Sequence, residues 1–103
     1  MRIGIDLDST ITASRESIEF FEILTHLLHP DLQYKIVILT SREPGTEQQV
    51  ADELDYLGIE YSEIVITDEK VDYVRDNNIS VYFENEYFSF PAENELEVKK
   101  QYR

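Results

Sequence analysis

The chain has 103 residues, with 9 Lys plus Arg against 22 Asp plus Glu and a formal charge of −13. That length suits one domain, 1–103, and a hydrophobic fraction of 42% supplies one modest core. The charge repels polyanions, so nucleic-acid binding is not expected, and the absence of Cys excludes disulfides, thiolate chemistry and Cys-based zinc sites.

No apolar run approaches the roughly 18 residues of a membrane span. Met1-Arg2 leads straight into Ile3-Gly4-Ile5 without a secretory pattern, so a cytoplasmic location away from membranes is expected. Between Glu43 and Asp76 eleven Asp or Glu face only Lys70 and Arg75. A solvated acidic surface accounts for most of them, and carboxylates with another role are expected outside that stretch.

In chain order, Arg2 to Leu7 is a short β-branched run that predicts a strand. From about Ser14 to Leu28, Ile18, Phe21, Leu24 and Leu28 recur at helical spacing, and His29-Pro30 ends that helix. Ile36 to Leu39 is apolar without alternation, as in a strand covered on both faces. Pro44-Gly45 makes a turn, and Thr46 with Gln49 predicts a capping box for a helix that carries Val50, Leu54 and Leu57 and stops at Gly58. Glu63 to Thr67 reads as a third strand, Glu69 to Asp76 as a short helix ended by Asn77-Asn78, Ile79 to Phe83 as a fourth strand, and Glu95 to Lys99 as a fifth. This alternation predicts an α/β fold: a doubly wound, Rossmann-like, mostly parallel sheet of four to five strands with helices on both faces.

In such a sheet ligands bind beyond the carboxyl ends of the strands, which here carry Asp6-Leu7-Asp8-Ser9-Thr10, Thr40-Ser41-Arg42, Lys70, and Glu84-Asn85-Glu86. Asp6 and Asp8 are two apart, so on a strand they would point the same way. Each group has a structural alternative: Asp6, Asp8 and Thr10 as turn or cap residues, Thr40 as a loop cap, Lys70, Glu84 and Glu86 as solvated charges. All four groups falling on one edge favours a shared site. Clustered carboxylates repel one another, and Mg²⁺ resolves this, commonly binding through one or two carboxylates plus phosphate. A hydroxyl and an ammonium suit the oxygens of a phosphoryl group.

With these residues the chain resembles the haloacid dehalogenase (HAD) superfamily, in its phosphatase branch. Ile3 to Thr10 matches the family's hydrophobic strand followed by Asp-x-Asp-x-Thr, Ile36 to Thr40 its strand ending in Thr or Ser, and Lys70 its third-motif Lys. The fourth motif departs from the usual acidic pair: it reads Glu84-Asn85, with Glu86 next. Glu84 carries its carboxylate about 1.5 Å further out than Asp, and Asn85 keeps a carbonyl oxygen without the charge.

The resemblance implies a Mg²⁺-dependent phosphatase working through an aspartyl-phosphate. Asp6 would be the nucleophile, and Asp8 the general acid and base, its pKa raised by its surroundings. Thr40 and Lys70 would hold the phosphoryl oxygens, and Asp6, the Asp8 backbone carbonyl, Glu84 and Asn85 the metal. Thr10, Ser41 and Arg42 lie where they would meet substrate. The short connection after Thr10 and the single helix between the second and third strands imply no cap domain, hence an open site for a small or bulky phosphoester.

Two other readings compete. One is a HAD-like module that binds metal or phosphate with little turnover and serves regulation or interaction. Restoring Asp at 84 and 85 separates it from an active enzyme. The other is a phosphoacceptor receiver domain, which would be phosphorylated at Asp68 rather than Asp6. Tyr82, Phe83, Tyr87, Phe88 and Phe90 crowd one segment, either as core and edge packing or as a homo-oligomer surface.

Overall fold

The computed structural model describes residues 1–85 and the backbone of 88–89. Within it lie β1 (Arg2–Asp6), a short 3-10 helix (Ile11–Ala13), α1 (Arg15–Leu28), β2 (Lys35–Thr40), α2 (Glu47–Leu57), β3 (Glu63–Ile66), α3 (Lys70–Asp76), β4 (Ile79–Phe83) and the two-residue β5 (Phe88–Ser89). The expected strand at Glu95 to Lys99, Glu86, and the side chains of Tyr87, Phe88 and Phe90 lie outside the described residues.

β1 to β4 form one parallel sheet in the order β3-β2-β1-β4, and β5 pairs antiparallel with β4. β1 sits between β2 and β4, with Ile5 opposite Ile38 on one side and Phe83 on the other. Chain order therefore reverses at β1 and β4, the kind of position where parallel sheets leave a crevice for ligands.

Successive residues of β2 enter different clusters. Ile36 and Ile38 pack with Phe21 of α1 and with Val50 and Leu54 of α2. Val37 and Leu39 pack with Val74 of α3, Ile79 and Tyr82. All four β2 side chains are fully buried, and burying each contributes roughly 1.5–3 kcal/mol. Close approach is needed at Gly4, where an added Cβ would lie 3.1 Å from Ile79, 3.2 Å from Tyr82 and 3.3 Å from Leu39.

The structure corrects one helix signal. No side chain caps α2: the Thr46 hydroxyl donates to the Glu43 carbonyl at 2.7 Å. The capping box is at α1, where Ser17 N–H donates to Ser14 Oγ at 3.0 Å and Ser14 N–H to Ser17 Oγ at 2.8 Å. Sequence inspection passes over it because Ser replaces the usual Glu or Gln at the third position. Gly58 ends α2 in the left-handed conformation, φ 77°, as its position predicts. The imidazoles of His26 and His29 lie 3.8 and 3.7 Å from the Glu60 carboxylate, between the end of α1 and the approach to β3.

Candidate active site

β1 ends at Asp6, and the chain turns at once: Ser9 takes the left-handed conformation, φ 63°. Leu7 stays in the core, its N–H donating to the Leu39 carbonyl at 3.0 Å and its side chain fully buried. Asp6 and Asp8 thus flank a core residue, as expected, but Asp8 belongs to the turn and the two acids meet different cations.

Asp6 is almost wholly buried, at 4% exposure, and Lys70 Nζ donates to its Oδ1 at 2.8 Å. The turn between β3 and α3 makes this pairing: Thr67 N–H donates to the Thr40 carbonyl, and Glu69 N–H to Thr67 Oγ1 at 3.0 Å. Lys70 then opens α3, where the helix dipole alone disfavours a cation. The buried Asp6 carboxylate offsets this.

A cavity of about 640 Å³ opens beside the pair. Asp6, Lys70, Ser41, Tyr82 and Glu84 contribute to its wall, together with Asp68, Glu69, Val71 and Asp72 from the start of α3. The cavity therefore lies where β1 and β4 end, at the reversal in strand order. Five carboxylates line it against one ammonium, a surface suited to cations or to a ligand that arrives with one.

Asp8 is held separately. Thr40 Oγ1 donates to its Oδ2 at 2.9 Å, Arg42 Nε to the same oxygen at 3.3 Å, and Arg42 Nη2 to Oδ1 at 2.8 Å. The expectation that the surroundings of Asp8 raise its pKa is overturned. The hydrogen bond from Arg42 lowers it, burial opposes this, and Thr40 adds to the lowering. Arg42 Nη1 in turn donates to Glu53 Oε2 of α2. Its contacts with Glu53 and then Asp8 hold the guanidinium charged more firmly than usual.

The remaining site residues divide. Ser41 and Glu84 stand on the cavity wall, as their positions suggest. Thr40 is fully buried, and its hydroxyl is engaged with Asp8. Thr10 is buried at 8% exposure, with its hydroxyl unpartnered among the described residues. Arg42 bridges two acids, and Asn85 is exposed and does not line the cavity. Tyr82 is in the core, and Phe83 packs edge-to-face on Phe21 with centroids 5.4 Å apart. Both are thus engaged inside the fold.

The acidic stretch from Glu43 to Asp76 is also more than a solvated surface, because Glu53 grips Arg42 and Asp68, Glu69 and Asp72 wall the cavity. Glu53 carried one sequence signal: it lies three residues after Val50 and directly before Leu54, at the border of the buried stripe of α2.

Among the described residues no three His, Asp or Glu side chains are grouped to hold a metal. Asp6 and Glu84 on the same cavity wall are a two-carboxylate set. That all-oxygen donor pair fits Mg²⁺, which commonly completes its shell with phosphate and water. No family model, curated protein or solved structure matches the chain significantly.

Proposed function

We propose that this chain is a Mg²⁺-dependent phosphatase working through an aspartyl-phosphate on Asp6, on a doubly wound, single-domain HAD core without a cap. The observation that carries this reading is the pair of buried Asp6 and partly buried Lys70, 2.8 Å apart on the wall of a cavity at the carboxyl ends of β1 and β4. A carboxylate held there by one ammonium, beside an open cavity, has the placement of a nucleophile that receives a phosphoryl group.

In this mechanism an Asp6 carboxylate oxygen bonds to phosphorus as the bond to the leaving oxygen breaks. Water then cleaves the aspartyl-phosphate, returning Asp6 and releasing phosphate. Lys70 neutralises charge on the phosphoryl oxygens, and Ser41 supplies a hydroxyl on the same wall. Thr40 acts by orienting Asp8. Asp8, held as a carboxylate by Arg42 and Thr40, is in the form that accepts the proton of the attacking water. A good leaving group such as p-nitrophenolate departs without a proton. Asp6, the Asp8 backbone carbonyl and Glu84 would hold Mg²⁺, which when bound offsets negative charge on the transferring group.

The test is hydrolysis of p-nitrophenyl phosphate with and without Mg²⁺. Activity that needs the metal and vanishes in Asp6→Asn supports the reading. Activity that persists in Asp6→Asn contradicts it.

The exposed Asn85 in place of an acid favours a second reading, a HAD-like module that binds metal or phosphate with little turnover. A large gain of hydrolysis in the Glu84→Asp, Asn85→Asp double variant supports that reading.

A further inference from the structure

We propose that Glu53 is a positioning residue of the phosphoryl-transfer site, holding Arg42 in the pose that orients the Asp8 carboxylate. The inference rests on the phosphatase reading above and concerns a residue that the resemblance leaves without a role.

Three elements meet in this chain of contacts. Asp8 lies in the turn after β1, Arg42 in the loop after β2, and Glu53 in the middle of α2. Arg42 directs Nε and Nη2 to the two oxygens of Asp8 and Nη1 to Glu53. The two-point contact sets the tilt of the carboxylate, because a planar guanidinium presents its donors in a rigid fork. Thr40 reaches only Oδ2, so the direction of Oδ1 depends on Arg42.

Arg42 cannot set that direction unaided. It stands in a loop between the exposed Ser41 and Glu43, and its side chain retains 30% exposure. Glu53, its side chain 35% exposed, reaches Arg42 from a helix that is anchored in the core. Val50 and Leu54, three residues before it and one after, are fully buried in the cluster beneath β2, so the core fixes α2 at this point. Through Glu53 and Arg42, the packing of α2 is carried to Asp8.

Charge gives the arrangement a second consequence. Arg42 stands between two carboxylates, Asp8 and Glu53. With Glu53 present, Arg42 is balanced and stays on Asp8. Neutralising Glu53 releases one arm of the fork, and Arg42 loses its contact with α2. That change misplaces the Asp8 carboxylate.

The experiment measures kcat and KM for p-nitrophenyl phosphate with Mg²⁺ in wild type, Glu53→Gln, Arg42→Gln and the double variant. Glu53→Asp serves as the conservative rescue, and Glu47→Gln, exposed at the start of the same helix, as the control. Melting curves with Mg²⁺ plus beryllofluoride are run on each protein. In Glu53→Gln, kcat falls about tenfold or more, within the ~10²-fold that a 1 Å misplacement costs. KM does not rise, Glu53→Asp recovers part of the loss, and Glu47→Gln matches wild type. With Arg42→Gln already present, Glu53→Gln causes no further loss, the non-additivity expected of residues acting as one unit.

A kcat within twofold of wild type in Glu53→Gln, or an equal fold-loss in both backgrounds, overturns the role of Glu53 and leaves the phosphatase reading standing. A wild type that neither hydrolyses the ester nor gains stability with Mg²⁺ plus beryllofluoride overturns both.

Discussion

Arg42 grips both carboxylate oxygens of Asp8, with Nη2 at 2.8 Å from Oδ1 and Nε at 3.3 Å from Oδ2. The two residues are 34 apart in sequence and stand at the ends of adjacent parallel strands. The pair sets the ionisation of Asp8. Its folded pKa lies below the ordinary value of 3.8, first because of the Arg42 hydrogen bond. The stability this supplies is present above the unfolded pKa and is lost as pH falls through the folded one. Arg42→Gln therefore raises the Asp8 pKa, visible by carboxyl carbon NMR. It lowers stability at pH 7 by about 1 kcal/mol or less, because the pair is partly exposed and screened. The gap between wild type and variant closes below about pH 4.

The Lys70–Asp6 pair behaves differently, because the Asp6 side chain is only 6% exposed. Lys70→Met strands a buried carboxylate and destabilises the protein by about 3 kcal/mol in urea titration. Adding Asp6→Asn to that background removes the stranded charge and recovers much of the loss.

Gly4→Ala tests the close packing of β1 against its neighbours. The new methyl group meets Ile79, Tyr82 and Leu39 at 3.1 to 3.3 Å, so the variant loses about 1–3 kcal/mol. Thermal melting measures the loss. A melting point equal to that of wild type means the neighbours yield without strain.

Helix caps give a paired comparison. Ser14→Ala removes the acceptor of the α1 capping box and costs about 1 kcal/mol. Thr46→Ala removes only an exposed hydroxyl contact to Glu43 and changes stability by less than about 0.5 kcal/mol. Equal losses in the two variants contradict the assignment of the capping box to Ser14.

The order of the described elements was legible because local signals agree: apolar runs at Ile3 and Ile36, helical spacing from Ile18 to Leu28, and Gly58 at a helix end. The edge that gathers Asp6, Lys70 and Glu84 was also legible, since parallel strands bring their following residues to one side. Partner choice was not. Asp6 and Asp8 look equivalent in sequence, yet one lies at a strand end facing Lys70 and the other in a turn facing Arg42. Nothing local to Asp8 announces a guanidinium 34 residues away that lowers its pKa. Glu53 was hidden by its surroundings, one acid in a stretch dense with them; its place beside the buried stripe of α2 was a faint sign, and its pairing with Arg42 emerged only in the fold.

The most direct test of the account is the thermal midpoint of wild type and Asp6→Asn with Mg²⁺ alone and with Mg²⁺ plus beryllofluoride, which stands in for the phosphoryl group on an aspartate. A ligand that binds only the folded state raises the midpoint. The account predicts a rise in wild type that needs both ligands and is absent in Asp6→Asn. No rise in wild type at saturating ligand, or an equal rise in Asp6→Asn, contradicts a phosphoaspartate site at Asp6.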